Sequence, residues 1–238
     1  MKAILIANPK GGCGKTTLAT NLAGALAARD EKVCLWDLDR QKSSIEWLSI
    51  RSAEYPGIQK LDGVLGDDTK AARHSGWLIL DSAAGMHGKN LDHALKIAHK
   101  VLIPVQPSLF DMAATRAFLA ALAEEKSIRK HKTFVGIVGM RVDARTRAAT
   151  TLEAFLAQYE MPVLTYLRDT QVYVNAAFNG LSIFDLPEHL GGRDVAPGDL
   201  TALDSGSTAQ LRFDLGAEPT ESALLTIRWH DADGKLVG

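Results

Sequence analysis

The residues best suited to chemistry lie in one glycine-rich loop near the start of the chain. The loop reads Asn8-Pro9-Lys10-Gly11-Gly12-Cys13-Gly14-Lys15-Thr16-Thr17. Glycines let the backbone turn its N–H groups towards an anion, and the start of a following helix adds positive potential. In such a loop Lys15 neutralises phosphate charge and the Thr16 hydroxyl ligates Mg²⁺. The loop therefore predicts a nucleotide site made of Gly11, Gly12, Cys13, Gly14, Lys15, Thr16 and Thr17.

A strand and a helix flank this loop, as phosphate binding requires. The apolar run 3–7 predicts a buried strand, and the Ala/Leu-rich segment 18–26 predicts a helix. A chance cluster of glycines beside a solvated lysine would not need this context. The strand–loop–helix order therefore favours a functional phosphate loop.

Acids follow two further apolar runs. Asp37 and Asp39 come after the predicted strand 32–36, and Asp81 ends the run that begins at Trp77. The carboxyl ends of parallel strands form the rim where ligands bind in open α/β sheets. We therefore expect these acids beside the phosphate loop. The alternative for the first two is that they cap the next helix, 43–48.

The loop departs from the standard pattern G-x-x-x-x-G-K-[ST], because Pro9 stands first and Lys10 precedes the glycine pair. Lys-Gly-Gly-x-Gly-Lys-Thr-Thr resembles the deviant phosphate loop of the ParA/MinD superfamily. The Asn-Pro-Lys-Gly-Gly opening is most similar to the ParA ATPases that partition DNA and position cargo. The resemblance implies an ATPase that uses ATP and Mg²⁺, with Lys10 reaching across a dimer interface to the partner subunit's nucleotide.

The resemblance also implies roles for the acids. Asp37-Leu38-Asp39-Arg40-Gln41 is similar to the family's Asp-x-Asp-Pro-Gln segment, with Arg40 where proline is usual. Asp39 would position or polarise the attacking water, and Asp37 would lie near the metal. Asp81 looks like the Walker B acid, which holds Mg²⁺ through water. The implied catalytic residues are Lys10, Lys15 and Asp39, and the implied metal residues are Thr16, Asp37 and Asp81.

The segment after Asp81 differs from the family pattern. The family continues with Ser/Thr and prolines, whereas residues 82–88 contain no proline and two glycines. This composition predicts a flexible switch segment. We interpret His87 as a polar loop residue, because phosphoryl transfer depends on positioning and charge stabilisation more than on a base.

A second departure concerns the base of the nucleotide. The run Met140-Arg141-Val142-Asp143 resembles the family's Asn-Arg-Val-Asp stretch, in which the asparagine contacts adenine. Because methionine cannot replace that amide, the sequence does not predict how adenine is recognised, and backbone contacts near Arg168 and Asp169 are one candidate.

Downstream of the switch segment, predicted strands alternate with predicted helices. The strands are 101–105, 133–138 and 162–167, and the helices are 108–126, 143–158 and 170–178. Weaker patterns indicate an edge strand at 58–65 and a short helix at 67–74. The alternation predicts a mostly parallel, twisted α/β sheet with helices on both faces. The resemblance covers residues 1–185, which we expect to form one ATPase domain.

Residues 186–238 differ in charge and pattern. From Asp185 onward four bases face ten acids, a net charge of −6, and the preceding part carries +5 because the whole chain carries −1. Strands are predicted at 210–215 and 224–229, with a hairpin turn at Asp233-Gly234. We expect a small, acidic, β-rich appendage or tail, which is either a docking element or a passive extension.

Composition excludes several classes of protein. The two cysteines, Cys13 and Cys34, lack the spacing of an iron–sulfur or metal site and are expected to be reduced and buried. No apolar run approaches the length that spans a bilayer. The first strand begins at Met1 without a charged-then-apolar leader, so we expect a cytoplasmic protein. The acidic tail also argues against a membrane-cycling ATPase, which needs a basic amphipathic helix.

The ParA resemblance implies three partners: a second copy bound with ATP, nonspecific DNA of the nucleoid, and a ParB-like activating protein. Basic side chains of the body are the candidate DNA contacts, although such residues are often merely solvated. The candidates are Arg129, Lys130, Lys132, Arg141, Arg145, Arg147 and Arg168. Two alternatives stay open: a nucleotide-gated scaffold with little hydrolysis, and a small-molecule ligase with the same loop.

Overall fold

The computed structural model describes residues 2–65, 76–125, 128, 133–159, 161–187, 209–213 and 223–227. Seven strands of this part form one sheet: β1 Lys2–Ile6, β2 Val33–Asp37, β3 Gln59–Lys60, β4 Trp77–Asp81, β5 Lys100–Val105, β6 Phe134–Gly139 and β7 Val163–Tyr166. Their order is β3-β2-β4-β1-β5-β6-β7, and every neighbouring pair is parallel. The predicted parallel α/β sheet is confirmed.

Six α-helices and one 3₁₀ turn in the described part of the chain accompany the sheet. They are α1 Lys15–Ala27, α2 Ser43–Ser49, α3 Gly88–Ile97, α4 Leu109–Glu124, α5 Arg147–Leu156, α6 Gln171–Phe178 and the 3₁₀ turn Ile183–Asp185. One apolar cluster packs α1, α2 and α6 on the sheet, and a second cluster packs α3, α4 and α5. Every residue of β2 and β4 is buried as a result. Burial on both faces explains why these strands are continuous apolar runs.

Several bounds differ from the sequence-based expectations. Helix α1 begins at Lys15, earlier than its apolar pattern, because the threonines of the phosphate loop form its first turn. Helix α3 was not expected, since polar residues outnumber Leu91, Ala94 and Leu95 on it. The edge strand is shorter than 58–65, and the expected helix 67–74 lies outside the described residues.

A buried ion pair closes the α/β core at its last turn. Arg51 donates from Nη1 to Asp185 Oδ2 at 2.7 Å and from Nη2 to Oδ1 at 2.8 Å. The N–H of Ser182 also donates to Asp185 Oδ2, at 2.7 Å. Side chains of the pair are 4% and 1% exposed. Removing one partner of such a pair lowers the free energy of unfolding by about 3–5 kcal/mol, so this contact stabilises the packing of the last turn on the core.

The described part of the C-terminal region contains a second, two-stranded sheet. Strands β8 Ala209–Phe213 and β9 Ala223–Ile227 pair antiparallel, which agrees with the strands expected at 210–215 and 224–229. The expected turn at Asp233-Gly234 lies outside the described residues. The division into domains 1–185 and 186–238 stays a prediction. None of the described helices has the length and hydropathy needed to traverse a bilayer.

Candidate nucleotide site

The phosphate loop links the carboxyl end of β1 to the first turn of α1. Gly12 and Gly14 have φ angles of 77° and 98°, a left-handed conformation that favours glycine. Gly14 is the N-cap of α1, and no side chain caps the first N–H groups of the helix. These N–H groups are therefore available to an anion at the mouth of the loop. Thr16 and Thr17 are half-buried in the same first turn.

A buried asparagine at the start of the loop hydrogen-bonds to β5 and α4. The amide of Asn8 donates to the carbonyl oxygen of Pro104 at 2.8 Å and to Thr115 Oγ1 at 3.0 Å. Its Oδ1 accepts from the N–H of Lys10 at 2.9 Å. The amide of Gln106 donates to the carbonyl oxygen of Gly12 at 2.7 Å. The anchors to Pro104, Thr115 and Gln106 had no local signal in the sequence, because each joins residues about 100 positions apart.

The two lysines of the loop have different surroundings. Lys15 is 7% exposed, and its Nζ donates to the carbonyl oxygen of Lys10 at 2.9 Å and lies 3.7 Å from Cys13 Sγ. The Lys10 side chain is half-buried and contacts no hydrogen-bonding or ionic partner among the described residues. The Lys15 ammonium therefore makes its contacts within the phosphate loop. The Lys10 ammonium makes no such contact and is available to a group outside the loop. Burial raises the pKa of the Cys13 thiol, consistent with a neutral packing residue.

Asp81 is a buried acid of the site, and its pKa departs strongly from the ordinary value. It is 1% exposed, and its Oδ1 has no hydrogen-bond partner in the described part of the chain. Burial raises the pKa of Asp81 to about 7, although the Thr16 hydroxyl acts in the opposite direction. A cation beside this oxygen would lower that pKa and satisfy the buried atom. Thr16 and Asp81, two of the three residues expected to hold or lie near Mg²⁺, therefore fit a metal.

The described residues do not form a metal site without the nucleotide. No group of three or more histidine, cysteine or acidic side chains among them could hold an ion by itself. Mg²⁺ commonly takes one or two protein ligands and completes its shell with water and phosphate oxygens. This preference matches a site with one free carboxylate oxygen and one threonine hydroxyl.

Asp37 neighbours Asp81 on the adjacent strand but is fully engaged. Its Oδ1 accepts from the N–H of Asp39 at 2.9 Å. Its Oδ2 accepts from the N–H and the hydroxyl of Ser44, at 2.9 Å and 2.8 Å. Asp37 therefore caps α2, which was one of the two interpretations of this acid. Its place near a metal stays a prediction.

Asp39 lies at the rim and joins two loops. Its Oδ1 accepts from the N–H of Gln41 at 3.1 Å, and its Oδ2 accepts from the N–H of Ala84 at 3.4 Å. The N–H of Gly85 donates to the carbonyl oxygen of Pro9 at 2.9 Å. The switch segment 82–88 thus touches both Asp39 and the phosphate loop.

Met140 fills space behind the loop. It is 3% exposed, and a Cβ added to Gly14 would lie 2.7 Å from its Cε. Gly14 is therefore required by close approach as well as by conformation. On the neighbouring surface, Arg141 Nε pairs with Asp169 at 3.0 Å. The expected adenine contacts at residues 168–169 stay a prediction.

The candidate DNA contacts are only partly described. Arg145 and Arg147 are exposed at the start of α5, and Arg168 is half-buried. Arg145 pairs with Asp143 at 3.1 Å, and this contact lowers the pKa of Asp143. Arg129, Lys130 and Lys132 lie outside the described residues.

A cleft of about 440 Å³ opens beside the loop, between α1, α2 and α6. Apolar side chains form most of its wall, including Trp47, Ile50, Val174 and Phe178, and Thr16 is also a lining residue. Tyr173 contributes to the lining too, but its hydroxyl is buried and has no hydrogen-bond partner among the described residues. The volume is in the range of small-molecule pockets.

Comparison with known proteins agrees with this site. The profile of the CobQ/CobB/MinD/ParA nucleotide binding domain matches residues 4–183. Maintenance of carboxysome distribution protein A from Halothiobacillus neapolitanus is 26% identical over 77% of this chain and 87% of that protein. The chromosome-partitioning ATPase Soj from Thermus thermophilus is 30% identical over 66% of this chain and 76% of that protein.

A solved structure has the same fold. The septum site-determining protein MinD of Pyrococcus horikoshii, complexed with Mg-ADP, superimposes with a TM-score of 0.60. The alignment is 17% identical and covers 76% of this chain and 86% of that chain.

Proposed function

Because this chain belongs to the CobQ/CobB/MinD/ParA nucleotide-binding family, we propose that it is a ParA-type ATPase that partitions or positions a cargo. Two relatives support the cellular role, since one is named for chromosome partitioning and the other for carboxysome distribution. In this proposal ATP binds with its phosphates in the loop Gly11–Thr17. The uncapped first turn of α1 and the inward-facing Lys15 suit that charge.

Magnesium is the metal that the site would take. Thr16 and Asp81 would hold it, and the unpartnered Oδ1 of Asp81 supports this assignment. Bound Mg²⁺ would neutralise charge on the β- and γ-phosphates. Lys15 would leave the carbonyl oxygen of Lys10 for a phosphate oxygen. Asp39 would orient the attacking water at the rim.

The single observation that carries the switch is the state of Lys10. Its backbone N–H and carbonyl are both held, by Asn8 Oδ1 and Lys15 Nζ, while its half-buried side chain has no described partner. The backbone of Lys10 is thus held by the loop, while none of the described hydrogen bonds or ion pairs engages its ammonium group. We infer that it contacts the nucleotide of a second copy, so that ATP joins two subunits and hydrolysis releases them.

The ATP dimer would bind nonspecific DNA and a ParB-like activator, and would associate with the nucleoid. The +5 charge of the body supports attraction to phosphate backbones. Arg145, Arg147 and Arg168, with Lys130 and Lys132, are the proposed contacts. Dimerisation would double this charge on one particle and make DNA binding depend on ATP.

The test measures particle mass and DNA binding together. Wild type is examined with ADP, and an Asp39→Ala variant is examined with ATP, which it should retain. We expect a monomer with ADP and a dimer with ATP that binds DNA in a salt-sensitive manner. If a Lys10→Ala variant dimerises with ATP as well as the parent does, the proposed Lys10 contact is not needed for dimerisation and is contradicted. A dimer that ignores DNA would favour a nucleotide-gated scaffold or a protein-anchored positioning system.

One observation favours a second candidate, a small-molecule ligase. The apolar cleft reaches Thr16, so a substrate bound in it would lie near the expected phosphates. A chain that stays monomeric with both nucleotides would contradict the switch and favour this reading.

A further inference from the structure

The hydrogen bonding between β1 and β5 continues into the first residues of the phosphate loop. The N–H of Ala7 donates to the carbonyl oxygen of Leu102 at 3.0 Å, and the next donor of this parallel ladder would be residue 9. Residue 9 is proline, which has no N–H. The side-chain amide of Asn8 takes its place and donates to the carbonyl oxygen of Pro104 at 2.8 Å. The chain therefore leaves the sheet at Pro9 without leaving that buried carbonyl unsatisfied.

The same amide also bonds to a buried threonine of α4. Asn8 Nδ2 donates to Thr115 Oγ1 at 3.0 Å, and the two residues are 2% and 0% exposed. The carbonyl of Pro104 can only accept, so the amide nitrogen of Asn8 faces it and Oδ1 faces the loop. Oδ1 accepts there from the N–H of Lys10, at 2.9 Å. Thr115 and Pro104 together therefore fix the orientation of the group that holds the Lys10 backbone.

Two described hydrogen bonds engage the backbone of Lys10, and nucleotide binding would affect them differently. Asn8 Oδ1 accepts from its N–H, and Lys15 Nζ donates to its carbonyl oxygen at 2.9 Å. In the proposed function Lys15 turns to a phosphate oxygen, and its bond to Lys10 is then lost. The bond to Asn8 requires no such exchange, because the other partners of Asn8 lie on β5 and α4. With nucleotide bound, Asn8 is therefore the described group that still holds Lys10.

We propose that Thr115, acting through Asn8, is a positioning residue that places the Lys10 ammonium for ATP hydrolysis. This role rests on the proposed function, in which Lys10 acts on the nucleotide. A lysine has a flexible four-carbon stem, so its charge is placed accurately only when its backbone is fixed. Thr115 supplies part of that constraint from 107 positions along the chain. Accuracy matters because a displacement of about 1 Å can lower a rate by about 100-fold.

The positioning role predicts a change in kcat rather than in KM. Removing the Thr115 hydroxyl leaves one proton of the Asn8 amide without an acceptor, so the amide can rotate and release the N–H of Lys10. Lys15 and the first N–H groups of α1 still bind the phosphates of ATP. The ammonium of Lys10, in contrast, is no longer fixed where charge develops in the transition state.

Steady-state ATP hydrolysis by the full chain with Mg²⁺ tests this role. Thr115→Val should lower kcat roughly 10-fold and change KM by less than about twofold. Thr115→Ser keeps the hydroxyl and should restore most of kcat. Thr133→Val is the matched control, because the buried Thr133 hydroxyl donates to the carbonyl oxygen of Ala98 at 3.3 Å, at the amino edge of the sheet. This control also loses a buried hydrogen bond and should keep kcat within about twofold.

A double-mutant cycle with Lys10→Ala separates positioning from a general loss of stability. If Thr115 acts through Lys10, Thr115→Val should lower kcat by less than about twofold once residue 10 is alanine. A purely structural effect would lower kcat by the same factor in both backgrounds. Equal factors would therefore overturn the positioning role, and so would an unchanged kcat in Thr115→Val. The proposed function would stand in both cases, provided that Lys10→Ala alone lowers kcat.

Two further outcomes would contradict the proposed function itself. If the parent does not hydrolyse ATP, or if Lys10→Ala hydrolyses it like the parent, the positioning role is overturned as well. If Thr115→Val does not fold, hydrogen exchange of the Lys10 amide in Asp39→Ala decides. That amide should exchange as slowly with ATP as without it. Faster exchange with ATP would show that Asn8 does not hold Lys10 in the nucleotide-bound state, and the positioning role would be wrong.

Discussion

The two edges of the central sheet bury charge in different ways. At the carboxyl edge, Asp81 has an oxygen without a described partner, and burial raises its pKa to about 7. At the amino edge, burial and then the charge of Lys2 lower the pKa of Lys100 to about 8. There, however, Lys2 Nζ lies 5.0 Å from the ring centre of Trp77, and Lys100 Nζ lies 5.6 Å from that of Phe134.

The difference indicates that the carboxyl edge of the sheet is the edge that binds a ligand and that the amino edge has a structural role. Aromatic faces attract cations, so the amino edge compensates its lysines with groups of the fold itself. The carboxyl edge leaves Asp81 to be satisfied by something from outside. Burial therefore has different consequences at the two edges: the half-buried lysines lie against aromatic rings of the fold, whereas the buried Oδ1 of Asp81 has no described partner. Three experiments test this contrast.

The largest effect is expected from a comparison of two lysines on opposite edges, the buried Lys15 and the half-buried Lys100. Lys15→Ala should weaken ATP binding by about 1,000-fold, because the variant removes a charge-assisted contact to phosphate from a partly dry site. Lys100→Ala should leave ATP affinity within about twofold. Isothermal titration calorimetry measures both. A similar loss in the two variants would show that the edges do not differ in function.

A smaller effect is expected from Asp81→Asn in the metal-free chain. The folded state holds the Asp81 proton up to about pH 7, whereas the ordinary pKa is 3.8. The unfolded chain therefore binds fewer protons between these values, and the free energy of unfolding should fall as pH rises from 4 to 7. In the parent chain this decrease in the free energy of unfolding should be on the order of 2–4 kcal/mol, and it should be absent in Asp81→Asn.

Urea unfolding at pH 5 and pH 8, in EDTA, gives this difference directly. Asp185→Asn serves as the comparison, because Asp185 is equally buried but bonded to Arg51 and Ser182. That variant should be destabilised at both pH values, since it leaves Arg51 without its charge partner. Added Mg²⁺ with ATP should stabilise the parent more than Asp81→Asn. Equal stabilisation would argue against the metal role of Asp81.

The sequence predicted those features that residues close together in the chain determine, such as a buried strand or the phosphate loop. Strand β4 was predicted at its observed bounds because an apolar run ends abruptly at Asp81. The phosphate loop was recognisable because its glycines, lysines and threonines are consecutive. The membership of Asp37 in the cap of α2 was one of two alternatives, since an acid after a strand suits either a cap or a metal.

Other features had no local signal. The Asn8–Thr115 hydrogen bond joins residues 107 positions apart, so it follows from the packing of β5 and α4 against β1. Helix α3 carries its buried residues on one narrow face, and the polar remainder conceals the period. The exposure of Leu109 and Phe110 also has no local signal, because large apolar side chains are more often buried. Tertiary contacts decide all three.

The smallest effect concerns Lys100 and sharpens the contrast from the structural edge. Its pKa falls from 10.5 to about 8 in the folded chain, so between these values the unfolded chain binds more protons. The free energy of unfolding should therefore gain a positive contribution as pH rises from 8 to 10.5. Lys100→Met should be more stable than the parent at pH 7 by about 1 kcal/mol, after allowance for solvent screening. That advantage should shrink by pH 10.5, as measured by urea unfolding. An advantage that did not change with pH would show that Lys100 is fully compensated by the Phe134 ring.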